Sequence, residues 1–169
     1  MTKIPNEYFL TVGAGESNET TSFDAALVDA GLANVNIIIY SSMIPPKSKE
    51  VPREDFNWGE VVDCIISRKE GTFKQKISVG IMIVDIINPQ GIKLGGFAIE
   101  YTGKDSYTIS KGKSIKVLKE MVYRRNYGKM LESYKTDLGY TIVLKNYIFK
   151  SMTIKKKYGT ILAVICFKN

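Results

Sequence analysis

Runs of alternating or continuous apolar residues predict strands along most of the chain, with two helices between them. Strand-like runs rich in β-branched residues cover residues 8–13, 34–40, 60–67, 73–86, 94–102, 139–150 and 158–167. The last run is apolar on both faces, which is typical of a buried central strand. Six or seven strands and two helices predict an α+β fold with mixed or antiparallel sheets covered by helices. No linker divides residues 1–169, so we expect one domain.

Each predicted helix has an apolar face that can pack on a sheet. In the first, Thr21 or Ser22 can cap the start and Gly31 ends the helix. Its apolar face, spaced at i, i+3, i+4 and i+7, consists of Phe23, Ala26, Leu27 and Ala30. The second helix is predicted over about residues 112–126. Its apolar side consists of Ile115, Leu118 and Val122.

The glycine-bearing segment 13–21, GAGESNETT, is predicted to be a polar loop before the first helix. Its Gly13-Ala14-Gly15 run resembles a phosphate-binding loop only superficially. The distance to the helix is too long for a dinucleotide-binding turn, and no Gly-Lys-Ser/Thr follows. The segment therefore does not favour a nucleotide site.

The composition removes several classes of enzyme. The 169 residues include no histidine, which excludes Ser-His-Asp and Cys-His nucleophiles and histidine-bearing metal sites. The two cysteines, Cys64 and Cys166, are too far apart in sequence for a CxxC motif. No apolar run is long enough to span a bilayer, and Pro5, Asn6 and Glu7 interrupt the N-terminal segment where a secretory signal needs apolar residues. We therefore expect a cytoplasmic protein without a membrane partner.

The net charge of +7 is unevenly distributed. Residues 1–100 carry 9 basic and 13 acidic side chains, whereas residues 101–169 carry 15 basic and 4 acidic ones. A basic half can bind nucleic acid, but here most of the charge comes from scattered lysines that suit a solvated helix face or turn. No nucleic-acid recognition motif organises the accompanying aromatic residues. Nucleic acid is therefore a disfavoured partner.

The pair Ser41-Ser42 is the candidate for unusual chemistry. By themselves, two serines ahead of Pro45-Pro46 are typical of an ordinary turn. Here a hydrophobic strand leads into the pair and the two prolines restrict the chain beyond it. A hydroxyl held against the preceding carbonyl can undergo an N-to-O acyl shift, a reaction that needs no histidine.

Two segments carry a family resemblance. SFDAALVDAGLANVNIIIYSSMIPP, from Ser22 to Pro46, resembles the processing region of pyruvoyl-dependent arginine decarboxylases. LGGFAIEYTG, from Leu94 to Gly103, resembles the strand of that family that bears the catalytic glutamate. The resemblance implies a four-layer αββα sandwich and a trimer of αβ protomers with active sites at the interfaces. The bulky Tyr40 and the lysine-rich C-terminal region depart from the family pattern.

The resemblance implies that the chain cleaves itself. Ser42 would attack the carbonyl of Ser41 to give an ester, and β-elimination and hydrolysis would leave a pyruvoyl group at position 42. The products would be a β chain of residues 1–41 and an α chain of residues 42–169. The resemblance implies that this pyruvoyl group is the cofactor and that neither pyridoxal phosphate nor a metal ion is required.

Three further residues match functional positions of the family. Asn36 matches the asparagine that assists self-cleavage, although a strand asparagine can instead bond to backbone. Asp24 matches the substrate-binding aspartate, which suits a guanidinium, and it also suits the start of a helix electrostatically. Glu100 matches the proton donor. The small residues Gly96 and Ala98 share its strand face and leave room for a substrate, whereas a half-exposed surface position is the alternative.

The implied reaction is the decarboxylation of L-arginine to agmatine and CO2 through a Schiff base on the pyruvoyl group. Two alternatives stay open at the level of sequence. The chain can be an uncleaved relative that serves as a binding or assembly module, or a pyruvoyl enzyme that acts on a different amino acid.

Overall fold

The computed structural model describes residues 3–168, which form nine strands and two helices. In chain order they are β1 (Glu7–Ser17), α1 (Ser22–Ala30), β2 (Asn36–Ile39), β3 (Met43–Ile44), β4 (Lys49–Glu50), β5 (Val61–Thr72), β6 (Lys76–Ile87), β7 (Lys93–Gly103), α2 (Tyr107–Arg124), β8 (Thr141–Thr153) and β9 (Tyr158–Lys168).

The strands form two sheets. The five-stranded sheet has the order β2-β5-β9-β1-β4, and the four-stranded sheet has the order β3-β7-β6-β8. The first is mixed, because β4 pairs parallel with β1 and β2 parallel with β5. The second is antiparallel throughout. Strand β9 lies at the centre of the five-stranded sheet and is almost entirely buried, as its two apolar faces predict.

Three apolar clusters define four layers. One lies between the sheets and includes Ile65, Ile81 and Ile165. The second lies between the four-stranded sheet and α2, and the third between the five-stranded sheet and α1. The predicted four-layer αββα sandwich is confirmed. No helix within residues 3–168 is both long and apolar enough to cross a bilayer.

Helix α1 has the predicted apolar face and C-terminal end, but the predicted cap at its start was wrong. Thr21 precedes the helix and forms no capping bond through its side chain, and the Ser22 hydroxyl pairs with that of Thr160. The helix begins at Ser22 and ends where Gly31 adopts a left-handed conformation with φ of 74°. Ala26 and Ala30 are fully buried, and Phe23 and Leu27 pack around them. Helix α2 has the predicted apolar side, with Leu118 and Val122 buried, but it begins at Tyr107, about five residues earlier than predicted. The Ser106 hydroxyl caps this earlier start by accepting a hydrogen bond from the Ile109 amide.

Two sequence predictions were wrong in detail. The loop predicted from residue 13 begins later, because β1 continues to Ser17 and pairs with β9 along its full length. The count of six or seven strands missed β3 and β4, which have two residues each and are too short to show a period.

Gly13 and Gly15 explain why the segment predicted as a loop is part of β1 instead. They lie in β1 directly beneath α1, and a Cβ at either position would meet the backbone of that helix. The two glycines therefore let α1 approach the sheet, and they form part of a packing interface rather than a phosphate-binding loop.

We expect Gly15→Ala to lower the free energy of unfolding by about 1–3 kcal/mol, the usual cost of overpacking. The new Cβ would lie 2.3 Å from the Ala26 amide nitrogen and 2.5 Å from the Ser22 carbonyl oxygen, and backbone atoms yield little. Gly112→Ala is the matched control, since open space surrounds that helical glycine, and it should stabilise the protein by about 0.5–1 kcal/mol. Urea unfolding measures both, and equal effects of the two substitutions would contradict this account.

Candidate active site

Strand pairing brings Ser42 next to Glu100. The short strand β3 runs antiparallel to β7 with Met43 opposite Phe97, so Ser42 lies opposite Ala98. Side chains alternate along a strand, and Ala98 faces the core between the two sheets. Ser42 and Glu100 therefore share this face, with Glu100 just beyond the end of the short strand.

The Ser42 hydroxyl donates a hydrogen bond to Glu100 Oε2 at 2.7 Å. Both residues are half-buried, so the pair is neither enclosed in the core nor fully exposed to solvent. A carboxylate that accepts a bond from a hydroxyl can also accept its proton, which makes the oxygen a better nucleophile. The arrangement therefore places a hydroxyl within direct reach of a carboxylate that can act as its base.

The backbone around this pair crosses from one sheet to the other. The Tyr40 amide donates to the Cys64 carbonyl of β5 at 2.7 Å, which belongs to the five-stranded sheet. Two residues later, the Ser42 carbonyl accepts from the Ala98 amide of β7 at 2.9 Å, in the four-stranded sheet. The peptide bond between Ser41 and Ser42 thus lies in a short bridge that is fixed at both ends.

Tyr40 holds one end of the bridge through its side chain as well. Its ring packs at the edge of the inter-sheet core, with its centroid 6.0 Å from that of Phe167. Burial and the adjacent Asp63 carboxylate raise the pKa of the Tyr40 hydroxyl. Asp63 is itself buried and pairs with the Lys3 ammonium at 2.7 Å, which raises the pKa of that lysine. Tyr40 departs from the family pattern in the sequence, and in the structure its ring and its amide both fix the upstream end of the bridge.

Glycines allow the other end of the bridge to approach its neighbours. Gly96 lies opposite Ile44, and a Cβ there would lie 3.3 Å from the Ile44 Cβ on β3 and 2.4 Å from the Val84 carbonyl oxygen on β6. Gly95 adopts a φ of 143°, and a Cβ there would meet the Ile44 carbonyl oxygen at 2.9 Å. The run Gly95-Gly96 therefore determines how closely β3 lies against β7, and so where Ser42 meets Glu100.

Two of the predicted site residues lie elsewhere in the chain. Asn36 begins β2, where its side-chain amide is exposed and donates to the Gly59 carbonyl at 3.0 Å. Asp24 is exposed in the first turn of α1, a helix that packs on the outer face of the five-stranded sheet. Within residues 3–168 neither forms a hydrogen bond to Ser42 or Glu100. In a single chain the Asn36 side chain binds backbone, as a strand asparagine can.

Acidic and thiol side chains do not converge elsewhere in the described part of the chain. Residues 3–168 contain no group of three or more His, Cys, Asp or Glu side chains arranged to hold a metal ion. Cys64 and Cys166 are buried neighbours on paired strands, with their sulfur atoms 3.8 Å apart and both thiols free.

Residues 7–169 match the family model described as pyruvoyl-dependent arginine decarboxylase (PvlArgDC). The sequence is also similar to individual proteins named pyruvoyl-dependent arginine decarboxylase. It is 36% identical to the protein of Methanocaldococcus jannaschii over 125 residues, which cover 70% of this chain and 69% of that relative.

Two other relatives extend the comparison. Identity to the pyruvoyl-dependent arginine decarboxylase of Methanococcus aeolicus is 37% over 102 residues, which cover 59% of this chain and 60% of that relative's length. Identity to pyruvoyl-dependent arginine decarboxylase 1 of Methanosarcina acetivorans is 31% over 128 residues, which cover 71% of this chain and 74% of that relative.

Proposed function

Because the chain belongs to the pyruvoyl-dependent arginine decarboxylase family, we propose that it cleaves itself between Ser41 and Ser42 and then converts L-arginine to agmatine and CO2. The observation that carries the proposal is the 2.7 Å hydrogen bond from the Ser42 hydroxyl to Glu100. It joins the two residues that the chemistry needs most, and no histidine is available to substitute for either.

Self-cleavage begins when Ser42 Oγ attacks the Ser41 carbonyl carbon and gives its proton to Glu100. The C–N bond then breaks, the Ser42 nitrogen takes up a proton, and an ester joins the two residues. Loss of the proton on the Ser42 α-carbon breaks the Cβ–O bond, which releases the carboxylate of Ser41 and leaves dehydroalanine. Water then replaces the nitrogen as ammonia. The products are residues 1–41 and residues 42–169.

The residues around position 42 suit a pyruvoyl group. When formed, this group supplies an electrophilic carbonyl that binds an amine and withdraws electrons during decarboxylation. The Ala98 amide already donates to the carbonyl of residue 42, which would become the adjoining amide carbonyl of the group. Glu100 is half-buried beside position 42, where it can deliver a proton to the substrate α-carbon.

We further propose that complete active sites form between copies of the chain, as in a trimer. Asp24 would bind the substrate guanidinium through two parallel hydrogen bonds, and Asn36 would assist cleavage, each reaching a site that includes another protomer. In support, the edge strand β2 leaves Ile38 47% and Ile39 69% exposed beside the bridge. Exposed branched side chains on a sheet edge favour association. We take residues 1–169 as one domain of a cytoplasmic enzyme.

Release of labelled CO2 from carboxyl-labelled arginine, lysine and histidine tests the proposed substrate. We expect release from arginine, and Asp24→Asn should raise the KM for arginine about tenfold or more, since a neutral amide cannot form the charged bidentate pair. Glu19→Gln, exposed ahead of the same helix, is the control and should leave the KM unchanged. Release from lysine or histidine but not from arginine would overturn the substrate assignment.

A further inference from the structure

A backbone amide is aimed at the carbonyl oxygen of the bond that self-cleavage would break. The Met43 amide nitrogen lies 2.7 Å from the Ser41 carbonyl oxygen and donates a hydrogen bond to it. The bond closes a three-residue turn centred on Ser42. The nucleophile and this donor therefore come from adjacent residues of the same turn.

We infer that the Met43 amide is the oxyanion donor of the self-cleavage reaction, an inference that rests on the proposed function. When Ser42 Oγ bonds to the Ser41 carbonyl carbon, the electron pair of the C=O π bond moves onto the carbonyl oxygen. A donor already directed at that oxygen stabilises the developing negative charge without reorganisation. The pair then re-forms the C=O bond, the C–N bond breaks, and the Ser42 nitrogen takes up a proton equivalent to the one that Oγ lost.

The Met43 amide is available for this role because of its register in the sheet. Ser42 occupies a hydrogen-bonded position opposite Ala98, whose amide donates to the Ser42 carbonyl at 2.9 Å. Amides alternate in direction along an antiparallel strand, so the next amide, that of Met43, points away from β7. Since β3 is an edge strand, no other strand of its sheet in the described part of the chain pairs with that side. The donor can serve the Ser41 carbonyl without loss of a ladder hydrogen bond.

The anchors of the bridge keep this donor and acceptor together. Upstream, the Tyr40 amide is bound to β5; downstream, Ile44 is 3% exposed and packs in the core between the sheets. The side-chain amide of Asn36, which the family resemblance connects with cleavage, donates to the Gly59 carbonyl instead. Among residues 3–168, the Met43 amide is the donor found on the Ser41 carbonyl oxygen.

The Met43→Pro variant tests the inference, because proline has no amide hydrogen. An edge strand tolerates proline at a position whose amide forms no hydrogen bond within the sheet. We expect cleavage to slow by about 10²-fold or more, the usual effect of removing one oxyanion donor. Met43→Leu changes the side chain and keeps the amide, so it should cleave much faster than Met43→Pro. The appearance of the α chain over time on denaturing gels gives the rates.

A second variant separates the amide hydrogen from the shape of proline. Incorporating the α-hydroxy analogue of methionine at position 43 replaces the N–H by oxygen with little change in backbone shape, and we expect the same slow cleavage. The test is made under conditions in which the unsubstituted chain cleaves. If either this variant or Met43→Pro then cleaves at the wild-type rate, the oxyanion role of the Met43 amide is overturned and the proposed function stands. An unsubstituted chain that stays whole would overturn both.

Discussion

Ser42→Ala should remain a single uncut chain under conditions in which the unsubstituted protein is fully cleaved. Alanine has no oxygen to attack the Ser41 carbonyl, and within residues 3–168 the Ser42 hydroxyl is the one that donates to Glu100. Because the first step cannot occur, no pyruvoyl group forms and decarboxylation should fall below detection. Denaturing electrophoresis after prolonged incubation measures the first effect, and labelled CO2 release measures the second.

Ser41→Ala is the matched control for this prediction. Residue 41 contributes its carbonyl to the reaction, and its exposed side chain forms no hydrogen bond in the described structure. The control should therefore still cleave. Fragments at the expected position in Ser42→Ala, or an uncut Ser41→Ala that is properly folded, would mean that the nucleophile is wrongly assigned.

Glu100→Gln should slow both reactions while the fold persists. Glutamine has the same shape, but it can neither take the proton of the Ser42 hydroxyl nor return a proton to the substrate α-carbon. General acid–base catalysis typically contributes 10²–10⁴-fold, so we expect a decrease of about that size in kcat for the protein that has been cleaved. Slower accumulation of the α chain should accompany it, because the carboxylate touches Ser42 before cleavage.

Normalising activity to the amount of cleaved protein separates the two roles of Glu100. Glu120→Gln is the control, since that carboxylate lies on the exposed face of α2 and pairs with Arg124. It should change neither rate. Normal cleavage with lost turnover in Glu100→Gln would restrict Glu100 to the decarboxylation, and normal rates of both reactions would remove it from the site.

Local signals in the sequence were sufficient for most of the fold. The 3.6-residue spacing of Phe23, Ala26 and Ala30 with Gly31 behind them defines α1, and the unbroken apolar run of β9 marks the central strand. These features depend on neighbours in the chain, so a pattern can reveal them. The extension of β1 through Gly13 and Gly15 depends on a helix packed above it, which no local pattern records.

The sequence predicted the site only in part, because contacts between distant segments of the chain leave no local pattern. Ser42 and Glu100 were each recognisable from a family resemblance, but their contact depends on the register between β3 and β7, and β3 is too short to predict. The position of the Met43 amide was hidden, because every residue except proline has such a group and only the turn directs it. Asp24 and Asn36 matched by position and lie outside the site of a single chain.

The mass of the purified, denatured protein tests the central claim most directly. We expect two species of about 4.6 and about 14.4 kDa, the 19.0 kDa of the chain divided in proportion to residues 1–41 and 42–169. The larger species should be lighter by one ammonia than simple hydrolysis would leave it, because a keto group replaces the amine of residue 42. A single 19.0 kDa species that never yields these fragments would contradict the account.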